Sequence, residues 1–260
     1  MTPAPPDPRL RFSDRVRDYV RYRPGYPVQV VRTLERELGI RAGATRIVDV
    51  GSGTGISAEL FLREGYEVCG VEPNEPMRAA SDELLRAYPR VRSVAGSAEE
   101  TTLPDGSADL VIAAQAFHWF DAVRARREFA RVLAPVGALA LLWNHRKTSG
   151  HPFLEGYEHL LRKWSTDYAK VSDSYPDDDR VRRFFGQGGC ALRRFEHRQD
   201  FDWDGFVGRA LSSSYVPARG ERGHDDLLSG MRELFDRHAT GGQVSFDYET
   251  RLYFASLGAP

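Results

Sequence analysis

A run of glycines followed at a set distance by a carboxylate carries the clearest chemistry in this sequence. Residues 46–55 read Arg-Ile-Val-Asp-Val-Gly-Ser-Gly-Thr-Gly, and residues 65–72 read Gly-Tyr-Glu-Val-Cys-Gly-Val-Glu. Glycines at 51, 53 and 55 permit a tight turn and let the backbone come close to a ligand. Ile47, Val48 and Val50 predict a short buried strand, Ile56–Arg63 a helix, and Val68–Val71 a second buried strand ending on Glu72. Strand, glycine loop, helix, strand, acid is how a βαβ unit grips a nucleoside. The loop passes under the ligand, the helix start offers N–H groups and a positive dipole end, and Glu72 takes both ribose hydroxyls. A dinucleotide fingerprint requires glycine at the first, third and sixth positions. The sixth position here is Ile56, which argues against NAD(P) or FAD. A purely structural turn is the alternative, and an acid closing an apolar strand argues against it.

Three further groups have side chains suited to a site. Gln115-Ala-Phe-His-Trp-Phe (115–120) directly follows the apolar run 109–114. There His118 is either a core histidine bonded to backbone or a residue facing a reacting centre, and Trp119 covers a ring or fills the floor. Gly96-Ser-Ala-Glu-Glu (96–100) follows the short strand predicted at Val91–Val94. A loop at a strand's carboxyl end puts Ser97, the backbone of Ala98, and Glu99 where a base is read, while Ser97 with Glu100 also has the spacing of a helix cap. Tyr19, Tyr22, Arg23 and Tyr26 gather just ahead of the core. They form either a docking segment with a solvated arginine or a lid whose arginine or tyrosine pairs with a cofactor carboxylate. Ser212, Ser213, Ser214 and Tyr215, with Trp143 and Tyr175, are candidate pocket residues; capping and helix solvation explain the serines nearly as well.

The elements that must position these groups alternate in type. Helices are predicted at Val28–Leu38, Met77–Tyr88 and Ala122–Leu133, and strands at Asp109–Ala114 and Gly137–Trp143. Beyond Asn144 helical segments at Phe153–Tyr168, Val181–Phe185, Asp202–Val216 and Leu227–Thr240 interrupt two alternating strands, Ala191–Phe201 and Val244–Leu257. The fold class is α/β: a Rossmann-like doubly wound sheet of about seven strands, the last antiparallel, with helical lid insertions at 145–190 and 203–243. The divisions are a leader and N-terminal lid segment (1–26), a cofactor-binding core (27–144), and lid helices with the two closing strands of the same sheet (145–260).

Bulk properties narrow the classes. The 260 residues are 41% hydrophobic and 28% charged, with 36 basic against 37 acidic side chains. That balance gives no global field for nucleic acid. Arg124-Ala-Arg-Arg and Arg193-Arg194 are short clusters that read as solvated faces. The start, Met1-Thr-Pro-Ala-Pro-Pro-Asp-Pro, reads as a disordered leader without a signal peptide, and no run of about 18 apolar residues follows. Two cysteines, Cys69 and Cys190, give neither disulfide framework nor metal spacing, which favours a cytoplasmic location. The scattered histidines and the Asp177-Asp-Asp turn give no metal site, and no Gly-x-Ser-x-Gly elbow points to covalent catalysis.

Taken together, Val48-Asp-Val-Gly-Ser-Gly-Thr-Gly, Glu72, Gly96-Ser-Ala-Glu and Asp109–Phe120 resemble the class I S-adenosylmethionine-dependent methyltransferases. Tyr22-Arg-Pro-Gly-Tyr-Pro and Gln-Ala-Phe-His-Trp-Phe are similar to the small-molecule branch that includes trans-aconitate methyltransferase-like proteins. The resemblance covers 12–145 and extends further only in outline. It implies S-adenosyl-L-methionine as cofactor. Asp49 and the backbone of Gly51, Ser52 and Gly53 would lie by its methionine part, with Asp49 accepting from the ammonium. Glu72 would hold the ribose, Pro73 and Asn74 the adenosine, and Met77 would pack on the ring. Ser97, Ala98 and Glu99 would meet the adenine; the family often has aspartate where Ser97 stands. Gln115 and His118 would sit near the sulfonium, and Tyr19 and Arg23 near the carboxylate.

The expected activity is in-line methyl transfer to a small-molecule acceptor by a monomer or homodimer with no membrane or nucleic-acid partner. His118 is the candidate base where the accepting atom carries a proton. The alternatives are a methyltransferase acting on RNA or protein, and a cofactor-binding protein or oxidoreductase on a related fold.

Overall fold

The computed structural model describes residues 20–165, 168 and 177–257. Tyr19, Tyr175 and the leader lie outside the described residues. In chain order the elements are α1 (Gln29–Leu38), β1 (Arg46–Val50), α2 (Ile56–Arg63), β2 (Glu67–Val71), α3 (Glu75–Leu85), β3 (Val91–Val94), β4 (Ala108–Ala114) and a 3-10 turn at Phe117–Trp119. They continue with α4 (Ala122–Val132), β5 (Leu133–Arg146), α5 (Pro152–Trp164), α6 (Asp178–Phe185), β6 (Ala191–Phe201), α7 (Trp203–Leu211), α8 (His224–His238) and β7 (Val244–Ser256).

The seven strands form one sheet in the order β3-β2-β1-β4-β5-β7-β6. The first five run parallel, and β7 is antiparallel to both its neighbours. The near-continuous apolar runs of β4 and β5 follow from burial on both faces. On one face Val48, Val111, Leu139 and Leu141 pack with Phe129 of α4. On the other Ile47, Leu110, Ile112 and Leu142 meet Val31 and Leu34 of α1 and Phe61 of α2. A third cluster stands apart: Phe153 and Tyr157 of α5, Phe206 of α7, Leu227 and Met231 of α8, and Phe246 and Tyr248 of β7.

Strand β5 is longer than the expected Gly137–Trp143. Its register with β7 runs from Ala138 opposite Ser256 to Arg146 opposite Tyr248, so the antiparallel partner draws His145 and Arg146 into the ladder. Within the insertion at 145–190, α6 packs on the sheet rather than with the third cluster. Phe184 stands 4.5 Å from Phe117 between ring centroids, and Val181 and Phe185 join the same core. Helix α5 closes at Trp164, short of Tyr168, where Ser165 turns extended (φ −81°, ψ 149°). Among the described residues no helix is long and apolar enough to cross a membrane.

Candidate active site

Strand order reverses at β1, and the crevice outside the carboxyl ends of β1 and β4 is where an open α/β sheet receives a ligand. The glycine loop sits there. Gly51 has φ +68°, and a Cβ on it would stand 2.6 Å from the Ala116 Cβ. Only glycine lets the two loops approach so closely. Gly53, at φ +55°, has nothing within 4 Å of an added Cβ, so its backbone faces open space.

Glu72 is the hinge of this arrangement. Its Oε2 accepts from the Gly53 N–H at 3.0 Å and its Oε1 from the Asn74 N–H at 2.9 Å. Asn74 in turn caps α3, its Oδ1 accepting from Met77 N at 3.0 Å. Burial pushes the Glu72 carboxyl above its usual range, against the two backbone donors and the Arg78 charge that pull it down. One carboxylate thus fixes the glycine loop and the start of α3 while retaining lone pairs for hydroxyl donors.

Asp49 lies behind that wall. It is fully buried, its Oδ2 accepts from Ser57 Oγ at 2.6 Å, and its Oδ1 has no hydrogen-bond partner among the described residues. Burial pushes its carboxyl up to about 7, aided by the negative charge of Glu72 and opposed by the Ser57 hydroxyl. Ser57 faces the cavity and Asp49 does not.

The loop after β3 corrects one expectation. No helix begins at Ser97; Ser97 N donates to Glu100 O, Glu100 N to Ser97 O, and Ser97 Oγ accepts from Glu99 N at 3.2 Å. The serine closes a tight turn because the residues after it form neither helix nor strand before β4. Glu99 Oε1 accepts from Asp121 N at 2.8 Å, tying this loop to the start of α4. Glu128 anchors its far end, accepting from Thr101 N at 2.8 Å and Thr101 Oγ1 at 2.5 Å.

At the end of β4, Gln115 adopts φ +56°, a strained conformation for a residue with a side chain. Its amide closes a reciprocal pair with the Asn144 backbone: Asn144 N donates to Gln115 Oε1 at 3.0 Å, and Gln115 Nε2 to Asn144 O at 3.4 Å. Asn144 is a site residue that its place in an apolar strand conceals. Its Nδ2 donates to Gly25 O at 2.9 Å, and its Oδ1 accepts from Thr250 Oγ1 at 2.5 Å. This side chain pins the segment before α1 over the strand ends. Asn144→Ala is expected to weaken binding of S-adenosylhomocysteine by about 1 kcal/mol through loss of that anchor. Calorimetric titration checks it, with Arg36→Ala on the outer face as the control that leaves affinity unchanged.

His118 is half-buried and leans on Trp119, with ring centroids 4.5 Å apart. His145, also on the cavity wall, is held near 4 by burial and by Arg251, so it stays neutral at physiological pH. Trp143 is a core residue, 1% exposed, and Ser212 donates to Arg209 O at 2.7 Å in the turn after α7. Arg23 reaches that same turn, its Nη2 donating to Ser212 O at 3.0 Å.

These parts enclose one cavity of about 960 Å³. Arg23, Gly51, Ser52, Gly53 and Glu72 line it, as do Pro73, Asn74, Met77, Ser97, Ala98, Glu99, Gln115 and His118. Of the cofactor residues expected from the sequence, Asp49 stands outside the lining and Tyr19 outside the described residues. Of the candidate pocket residues, Ser214 and Tyr215 line the cavity, Trp143, Ser212 and Ser213 do not, and Tyr175 lies outside the described residues. Arg146, Arg209 and Tyr248 line the side nearest the third cluster. The one signal for them in the sequence is an arginine three residues after Phe206, on the apolar stripe of α7. The chain's residues fit the S-adenosyl cofactor that the resemblance implies. The glycine cradle is open where a Cβ would intrude, and Glu72 on the cavity wall is aimed by two backbone donors. Among the described residues no group of three or more His, Cys, Asp or Glu forms a metal site.

A family model described as a methyltransferase domain matches residues 48–141. An uncharacterized methyltransferase of Mycobacterium tuberculosis is 40% identical over 146 residues, 56% of this chain and 57% of that protein. An uncharacterized methyltransferase of Schizosaccharomyces pombe is 36% identical over 153 residues, 58% of this chain and 59% of that one. The chain thus spans a little over half the length of the curated relatives it matches. Among solved structures, one from Anaeromyxobacter dehalogenans, provisionally assigned as a type II methyltransferase, aligns with TM-score 0.63 at 23% identity, covering 92% of this chain and 100% of that one. Phosphoethanolamine N-methyltransferase 2 of Haemonchus contortus, solved with S-adenosylhomocysteine, aligns with TM-score 0.56 at 16% identity over 95% of this chain and 57% of that one. Both likenesses are in fold.

Proposed function

We propose, from the premise that the chain belongs to the class I S-adenosylmethionine-dependent methyltransferases, that it methylates a small-molecule acceptor held beside the cofactor in the cavity. The observation that carries this reading is Glu72, fixed by Gly53 N and Asn74 N on the wall of a cavity of about 960 Å³. That volume lies at the upper end of the range for a single small-ligand pocket, about 300–1,000 Å³, and leaves room for a modest acceptor next to the cofactor.

S-adenosyl-L-methionine supplies a methyl group on a sulfonium that already carries its leaving group. The chain's own task is therefore orientation and exclusion of water. Glu72 accepts from the ribose hydroxyls, and the backbone of Gly51, Ser52 and Gly53 supports the amino-acid arm. Pro73, Asn74 and Met77 wall the adenosine, and Ser97, Ala98 and Glu99 face the adenine. Gln115 lies toward the sulfonium, and Arg23 toward the cofactor's carboxylate. His118 accepts a proton at a ring nitrogen where the acceptor atom loses one, and stands idle where the acceptor is a carboxylate.

The test is transfer of labelled methyl groups from S-adenosylmethionine to a cell extract split into dialysable, RNA and protein fractions. Label is expected in the dialysable fraction, with release of S-adenosylhomocysteine. Label in RNA or protein would overturn the acceptor class, and tight NADH binding in place of S-adenosylhomocysteine would overturn the cofactor.

A further inference from the structure

We propose that the acceptor carries an oxyanion, a carboxylate or a phosphate, and that Arg146 and Arg209 bind it on the side of the cavity lined from β5, α7 and β7. This rests on the methyltransferase reading and names the substrate class for the same site.

Two guanidiniums are buried there with too little negative charge around them. Arg209, on α7, is 6% exposed. Its Nε donates to Tyr248 Oη at 3.2 Å and its Nη1 to Ser213 Oγ at 3.3 Å, both neutral partners. It forms no ion pair among the described residues. Arg146, at the end of β5, donates from Nη2 to Glu158 Oε2 at 2.7 Å and to Tyr168 Oη at 3.0 Å. Its Nη1 is buried with no hydrogen-bond partner among the described residues. Glu158 is shared, since Arg162 pairs with its other oxygen at 2.8 Å.

Arg209 is thus a buried charge without a counter-charge, and Arg146 has one carboxylate that it shares with Arg162; such charge is expensive to keep unless something else uses it. Both arginines nevertheless stay charged, as guanidiniums do: burial opposes the charge, while the hydrogen bonds of Arg146 to Glu158 and of Arg209 to Tyr248 help hold both above the usual guanidinium range. The positive field also acts on Tyr215, whose phenol is lowered by Arg209, Arg23 and Arg146 despite its burial. Arg146, Arg209, Tyr168, Tyr215 and Tyr248 all line the cavity that Glu72 and Gly51 line from the opposite side. Planar guanidinium forks flanked by phenolic hydroxyls match the two or three oxygens of a carboxylate or phosphate. An acceptor anchored there by its anionic end would point its remaining atoms toward Gln115 and His118.

The experiment is calorimetric titration of the full chain, first with S-adenosylhomocysteine and then, with that ligand saturating, with succinate, inorganic phosphate and succinamide. At least one anion is expected to bind, the neutral succinamide at least tenfold more weakly, and the better anion tells carboxylate from phosphate. Arg209→Gln is expected to weaken the bound anion at least tenfold and S-adenosylhomocysteine less than twofold. Succinamide binding as well as succinate, or neither anion binding, overturns the proposal. So does an equal loss of S-adenosylhomocysteine in Arg209→Gln, which would give the arginine to the cofactor's own carboxylate. If Arg209→Gln does not fold, the contrast between succinate and succinamide in the unaltered protein decides. Failure of S-adenosylhomocysteine to bind at all is a separate result, and it removes the methyltransferase reading itself.

Discussion

Glu72→Ala is expected to weaken S-adenosylhomocysteine binding about a hundredfold or more, roughly 3 kcal/mol. Two contributions add. The ribose hydroxyls lose a charged acceptor in a site where the carboxylate is 8% exposed, and the N–H groups of Gly53 and Asn74 lose the acceptor that fixes them. Glu72→Gln separates the two. It keeps the shape and one amide oxygen, so one backbone contact and one hydroxyl contact survive, and about half of the loss is expected. Equilibrium titration measures both variants, with thermal unfolding to register the loop. Unchanged affinity in Glu72→Ala would remove the central support of the cofactor assignment.

Asp49→Asn is expected to change the pH dependence of stability strongly. The carboxyl rises from 3.8 to about 7 on folding, chiefly through burial. Between those values the native state binds more protons than the unfolded one, so stability falls as pH rises through the window and levels off above about 7. A shift of this size corresponds to about 4 kcal/mol of penalty at pH 8. Asparagine abolishes the titration, so the variant should be the more stable protein at pH 8 and close to the parent at pH 4. Denaturant melts across that range check the sign, and parallel profiles for the two proteins would show that Asp49 does not titrate in this window. Below pH 7, docking a ligand's ammonium near Ser57 and Asp49 would favour the ionised carboxylate and release a proton.

The βαβ opening was legible because its signals are local. Ile56–Arg63 and Val91–Val94 occupy the very residues their patterns indicate, since apolar spacing and glycine placement act within a few residues. The alternation at Ala191–Phe201 was equally plain for the same reason. What escaped depends on distant partners. The end of β5 is extended by β7, whose Tyr248 lies opposite Arg146, and nothing near residue 146 announces that pairing. The apolar stripe Val181, Phe184, Phe185 foretells a buried face but not that Phe117 covers it. Ser97 and Glu100 have cap spacing in either a helix start or a closed turn, and the irregular path to β4 decides between them. Arg209 is the hardest case: an arginine near an apolar stripe reads as a chain with a solvated head, until three helices and a strand close around it.

Strand β7 lies between β5 and β6, although β6 precedes it in the chain, and this sets an order of assembly. During synthesis β6 has no neighbour until residues 244–256 emerge. The βαβ half can by then have gathered around β1 and β4, whose partners are nearer in sequence. The other side of the cavity must wait: Thr250, which steadies Asn144, and Tyr248, which receives Arg209, arrive together on that late strand. Closing contacts of such long sequence separation is slow. A nascent chain would therefore acquire its nucleoside grip well before the opposite wall of the cavity exists.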